Sequence, residues 1–339
     1  MATEKQTTKY RGAIEKATRW LLTHRKPGGA VEPEEMGIDS YYKVPWALQI
    51  TGHVSEALET LKYALSKDWV PSGDFESSHR GQFHHDFYIY PNSWLAIAAS
   101  RLGDREVSRN IFRFIARFQH PDNGGLCSWR PWASGANRQD MLSTSFAGLV
   151  ALDVGETQSA RKAGDFLVRM KALQPCPDKE LHASVDSLGD HTLRVAQDRG
   201  TIVRRNVPGQ RYYFPGAAVA ALAKLYEATG CDEYHEAAQW YFEWWNGCGG
   251  DVFHSVRSGK GALGAAYLYE ITGEERYGRA ATRIADYLVD IQDESGMWPV
   301  AVEGGDPLSS YVAEFVVWLS EIARCCLSPT RNEKGVNGI

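Results

Sequence analysis

The stretch Ile271-Thr-Gly-Glu-Glu-Arg-Tyr-Gly-Arg-Ala-Ala-Thr-Arg-Ile-Ala-Asp-Tyr-Leu-Val-Asp290 carries the pattern on which the fold turns. An apolar segment ends in a glycine, and an amphipathic segment with charges on one face begins within a few residues. Glycine suits a left-handed helix C-cap, and the polar residues that follow start the next helix. Outward from this stretch the junction recurs at Ile50-Thr51-Gly52, Arg101-Leu102-Gly103, Asp153-Val154-Gly155 and Ala228-Thr229-Gly230. The Gly-to-Gly intervals are 51, 52, 75 and 43 residues, one helical hairpin each with a single insertion. Self-similarity at such a period is the mark of a repeat architecture.

The two helices of each hairpin differ. The segment before the glycine is small and apolar, as in Ser93-Trp-Leu-Ala-Ile-Ala-Ala-Ser100 and Gly216-Ala-Ala-Val-Ala-Ala-Leu-Ala223, and a helix apolar all round is buried on both sides. The segment after it has one wet face. With an opening helix near 9–24 and a closing one near 308–325 the count reaches twelve, alternating between buried and half-exposed. That describes an inner and an outer ring, an all-α (α/α)6 barrel of six helical hairpins. An open solenoid of helix pairs is the rival, but it would end in polar capping repeats, whereas Val312 to Ala323 is apolar. Residues 1–327 read as one barrel domain and 328–339 as a disordered tail.

The two ends of such a barrel are unlike. Inner-to-outer connections are the tight glycine turns; outer-to-inner connections are long and rich in aromatics, and long loops in compact domains tend to be functional. They converge as a cup into which the inner helices' N-termini point. The longest, 176–211, holds alternating stretches at Thr192–Val195 and Thr201–Arg204 that predict a β-hairpin flap, either a mobile lid or a rigid excursion.

The composition excludes several classes. Net charge is −5 with interspersed signs, which gives no footprint for nucleic acid. No apolar run is long enough for a membrane span. Met1-Ala-Thr-Glu-Lys-Gln lacks an apolar signal region, so the expectation is cytoplasmic, with the six cysteines as free thiols.

Gln292-Asp-Glu-Ser-Gly-Met-Trp298 matches the Gln-x-x-x-Gly-x-Trp repeat, and Gln119 to Trp129, through Gly124-Gly125, is a looser copy. In this the chain resembles the terpene cyclase and protein prenyltransferase superfamily. The resemblance implies an α/α toroid in which the Gln caps backbone groups and the Trp closes the hairpin loop. The superfamily's catalytic motifs do not carry over. There is no Asp-x-Asp-Asp acid, with Val185-Asp-Ser-Leu-Gly-Asp190 a poor substitute. There is no Asp-Asp-x-x-Asp site, and Gly247-Cys-Gly-Gly-Asp251 has the wrong order for the zinc set.

Candidate chemistry is densest at His84-His85-Asp86, just before an inner helix. An imidazole beside a carboxylate can exchange a proton near neutral pH, and in an extended segment one His would face the cup and the other pack outward. Asp39 and Asp140 occupy the equivalent places in neighbouring hairpins. Helix capping is the ordinary role for each, but together with Asp86 they would face one cavity. Tyr41, Tyr42, Trp46, Tyr88, Tyr90, Trp129, Trp132, Tyr213, Trp298 and Tyr311 are candidate walls, with Arg211 an anion clamp and His254 a further polar group. No sequence motif calls for a metal or cofactor. The expected function is a cofactor-independent enzyme acting on a terpenoid- or polyketide-type molecule by cyclisation, isomerisation or elimination, possible also as a pericyclic reaction. A carbohydrate-active enzyme with paired carboxylates and a non-catalytic small-molecule binder are the alternatives.

Overall fold

The computed structural model describes residues 4–130, 138–187, 193–299 and 307–327. Among the described residues twelve helices, from 7 to 20 residues long, build it in six pairs. The outer ones are α1 (Glu4–Thr23), α3 (Val54–Lys67), α5 (Arg105–Ala116), α7 (Thr157–Ala172), α9 (Asp232–Asn246) and α11 (Glu275–Ile291). The inner ones are α2 (Val44–Ile50), α4 (Tyr90–Arg101), α6 (Met141–Val154), α8 (Tyr213–Thr229), α10 (Gly259–Thr272) and α12 (Leu308–Leu327). The five glycine junctions are the inner-to-outer turns. At Gly155 (φ +84°) and Gly230 (φ +65°) the cap is left-handed, where a Cβ would clash with the following carbonyl.

The ring is closed. Each inner helix packs on the next, and α12 packs against both α10 and α2, while α1 packs against α11 and α12. The Gln-x-x-x-Gly-x-Trp loop contributes to this closure. Gln292 Nε2 donates to Ala13 O on α1 and to Gly296 O, both at 3.0 Å. Gly296 (φ +93°) lies so close to α1 that a Cβ would sit 2.5 Å from the Lys16 carbonyl. Trp298 is buried and donates from Nε1 to Leu288 O at 2.7 Å. The looser copy behaves alike: Gln119 Nε2 reaches Gly124 O and, on α7, Ser159 O. These residues cap and close backbone, the role that the resemblance implies.

Small residues let the inner helices approach closely. A Cβ on Gly216 of α8 would stand 2.2 Å from the Gly261 nitrogen of α10. The outer helices are amphipathic. On α5 the buried residues Ser108, Ile111, Phe112, Phe114 and Ile115 form one stripe.

The 176–211 insertion carries the expected β-structure in four short strands, β2 (Glu180–His182), β3 (Ser184–Ser187), β4 (Leu193–Val195) and β5 (Ile202–Arg204), which pair antiparallel with one another and with β1 (Arg138–Asp140) of the preceding loop. The partners differ from those the sequence suggests. The hairpin is β3–β4, with β1 on the far side of β3, while β5 pairs with β2. Alternation reveals strands but not their neighbours, and here β1, from the preceding loop, supplies an edge. Trp132 and the expected tail, 328–339, lie outside the described residues. Among the described residues no helix is long and apolar enough to cross a membrane, and all six cysteines are free.

Candidate functional site

The inner helices' N-termini gather at the long-loop end and carry two linked polar chains in an aromatic setting. The first starts at Asp39, in the short helix Ile38–Tyr41 that leads into α2. Its Oδ2 accepts the Gly81 N–H at 2.6 Å, and its Oδ1 accepts from His84 Nδ1 at 2.5 Å. Burial alone would raise this carboxyl's pKa; the hydrogen bond and charge of His84, with the Gly81 N–H, outweigh it and hold the group below its usual range. Donation from Nδ1 leaves Nε2, which lies 3.1 Å from the Tyr42 hydroxyl. Ser310 on α12 donates to that hydroxyl at 3.3 Å. Asp39, His84 and Tyr42 are at most 1 % exposed, and the outer end of the chain is the half-exposed His79, whose Nε2 is 3.5 Å from Asp39 Oδ2.

The second chain centres on Glu314 of α12. Lys43 Nζ lies 2.6 Å from Oε2, Lys260 Nζ lies 2.5 Å from Oε1, and the Tyr90 hydroxyl donates to Oε1 at 3.1 Å. Burial disfavours the Glu314 charge, but the two ammonium groups overcome it and hold the pKa at about 2. Burial also pulls the Lys260 pKa below its ordinary value. Both lysines are caged by rings: Lys43 by Tyr42, Tyr90, Trp94 and Tyr311, Lys260 by Tyr90, Phe146, Tyr213 and Trp318, all within 6 Å. The two chains adjoin at Tyr42.

Several expectations change here. The segment Gln82–Asp86 is a short helix rather than extended, and it sends His84 inward and leaves His85 exposed. Asp86 is exposed and accepts from Gln82 Nε2. Asp140 is the N-cap of α6, accepting from the Ser143 N–H at 2.7 Å and Ser128 Oγ at 2.8 Å, and burial raises its pKa to about 6. Asp39, Asp86 and Asp140 therefore belong to separate hydrogen-bond sets. Tyr41 turns to the outer ring and bonds Asp68. Arg211 is exposed and holds the Gly200 carbonyl; His254 is exposed beside Tyr287. Trp298 belongs to the core.

Tyr42, Tyr90, Tyr213 and Tyr311 lie against Lys43 or Lys260, and Trp46 lines a cavity between the inner helices. Tyr88 and Trp129 line an open depression of about 750 Å³ at the rim, with Phe75, Arg80, His85 and Arg130. Tyr88 lies between two guanidinium groups, Arg80 at 4.1 Å and Arg130 at 4.6 Å from its ring centre. Its hydroxyl donates to Asp74, which also takes Arg130 at 2.5 Å. Lys43, Glu314, Lys260 and Ser310 were not candidates from sequence. The signal available was a charge set inside otherwise apolar inner helices, at Lys260 and Glu314. Among the described residues no group of three or more His, Cys, Asp or Glu side chains is placed to hold a metal.

No protein-family model matches the sequence, and no curated protein matches it. Solved structures do. A D-mannose isomerase is similar at TM-score 0.72 and 10 % identity, over 96 % of this chain and 100 % of that one. A family 76 glycoside hydrolase, an α-mannanase of Bacteroides thetaiotaomicron, is similar at TM-score 0.66 and 14 % identity, over 94 % and 97 %. A type II terpene cyclase from Scytonema is similar at TM-score 0.57 and 13 % identity, over 96 % and 100 %. At such identities the likeness establishes the fold, an α/α toroid shared by enzymes of different chemistry.

Proposed function

We propose that this chain is an enzyme that moves a proton on a hydrophobic small molecule of terpenoid or polyketide type, by isomerisation, cyclisation or elimination, at the floor of the cup. The observation that carries the reading is the buried Asp39–His84–Tyr42 chain, set against tyrosine and tryptophan faces. Tyr42 stands at the substrate end, and the substrate takes the place of the Ser310 hydroxyl. His84 Nε2 takes or returns the phenol proton, and Asp39 fixes the ring's orientation and stabilises its charged form. In an isomerisation the proton removed from one carbon is returned to another, so no net proton is lost. The aromatic walls exclude water and hold a flexible apolar substrate in one conformer. Glu314 is clamped between two lysines and serves the floor's electrostatics rather than donating a proton.

A second reading, a carbohydrate substrate, is favoured by one observation. The open rim depression combines Trp129, a ring suited to stacking on a sugar, with Arg80, Arg130 and His85. Against the glycosidase form of it, the three candidate aspartates make separate hydrogen-bond sets, where that chemistry uses a facing pair.

The test is a thermal-shift screen of the protein against a terpenoid and polyketide panel and a panel of neutral and uronic sugars. A ligand specific to the fold raises the melting temperature, by about 2.7 kcal/mol of stabilisation at a hundredfold excess over Kd. Hits confined to the apolar panel support the proposal; hits confined to the sugars overturn it and move attention to the rim.

A further inference from the structure

Beneath the Lys43–Glu314–Lys260 layer the inner helices enclose a second space, a cavity of about 300 Å³ on the barrel axis. Its loop-side end is walled by Lys260, Trp94 and Trp318. Its other end is rimmed by Arg101, Asp153 and Glu227, all exposed and all next to the tight glycine turns. The cavity thus opens on the face opposite the cup. Along α8 its lining runs from Ala220 to Ala228, which at 1.5 Å per residue is about 12 Å. Its volume matches roughly ten water-sized groups.

Between the ends the lining is apolar apart from Tyr267 and Lys224, the latter paired with Glu227 and Glu270, while the inner end is cationic. Among the described residues Glu314 alone offsets both Lys43 and Lys260, side chains only 4 and 7 % exposed. Lys260 has three N–H donors, and among the described residues its one hydrogen-bond partner is Glu314. A buried cluster with more cation than anion is costly, and an anion delivered through the cavity would balance it.

We propose that this cavity is a ligand site, separate from the cup and entered from the turn end, for a medium-chain monocarboxylate. The carboxylate meets Lys260 and the alkyl chain lies along Leu149, Leu152 and Leu263 toward the rim. The inference does not depend on the Asp39–His84–Tyr42 relay.

The experiment is calorimetric titration of the full chain with octanoate, octan-1-ol and octylamine. Octanoate is expected to bind one to one, about tenfold or more tighter than octan-1-ol, with octylamine not binding. Lys260→Met, which leaves Lys43 and Glu314 as a matched pair, should bring octanoate down to the level of octan-1-ol. Leu152→Trp, at the half-buried turn end, should fill the channel and abolish binding of both; Leu149→Trp is the alternative should that variant not fold. No saturable octanoate binding, octylamine binding as well as octanoate, an unchanged preference in Lys260→Met, or unchanged affinity in the tryptophan variant would each overturn the site.

Discussion

Replacing Glu314 with Gln keeps the side chain's volume and removes the carboxylate that bridges Lys43 and Lys260. The cost follows from the structure in two ways. Held at about 2 against an ordinary 4.5, the carboxyl contributes about 3 kcal/mol to folding at neutral pH by linkage. Stripping one partner from a buried ion pair costs about 3–5 kcal/mol, because the remaining charges are stranded. Glu314→Gln is therefore expected to lose about 3–5 kcal/mol. Urea unfolding at pH 7 measures it, and with a slope of about 3 kcal/mol per molar the midpoint falls by about 1 M or more.

The pH dependence sharpens the test. The folded carboxyl titrates below the unfolded one, so its contribution is fully present above about pH 4.5 and is lost as pH falls through about 2. The gap between wild type and variant must therefore narrow from pH 5 to pH 2. Lys260→Met is the companion. It removes an ammonium that burial disfavours and leaves Lys43 paired, so its stability should match or exceed wild type. A loss below 1 kcal/mol in Glu314→Gln, or a gap that does not change with pH, refutes the picture of a carboxylate stabilised by two lysines.

Further outcomes are expected elsewhere. Asp39→Asn should leave the fold intact and lower turnover on a substrate found by the screen by about 10²–10⁴-fold, through kcat more than KM; an unchanged kcat would remove the relay from the chemistry. At Asp140 the folded pKa, about 6, lies above the unfolded value of 3.8, so the carboxylate's contribution to stability declines as pH rises between them. Asp140→Asn keeps a cap and should gain on wild type over that window in thermal melts, while Asp140→Ala should lose about 1–2 kcal/mol. Gly216→Ala drives a methyl into the Gly261 backbone and should cost about 1–3 kcal/mol in denaturant titration. Gln292→Ala removes one hydrogen bond to α1, at Ala13, and one within its own loop, at Gly296, with an expected loss of about 1–3 kcal/mol.

The local signals in this chain were enough for the barrel. A glycine ends each of five apolar segments because only glycine takes the left-handed turn there cheaply, and that rule acts within a few residues. The contrast between helices buried all round and helices with one wet face is likewise written in each segment. From these follow twelve helices, two rings and a cup at the long-loop end. The floor of the cup was half legible. His84 and Asp39 stood out as titratable groups before inner helices. Which of the two neighbouring histidines turns inward, however, depended on a one-turn helix at Gln82–Asp86 that no periodicity could mark.

What only the tertiary structure decided is the charged layer. Lys43, Lys260 and Glu314 lie 54 to 271 residues apart in pairs, each a lone charge in an apolar context. They become a cluster only because ring closure sets α12 between α2 and α10. Charge pairing across a closed ring depends on which helices become neighbours in space, and a sequence read along its length carries composition and phase but not that adjacency.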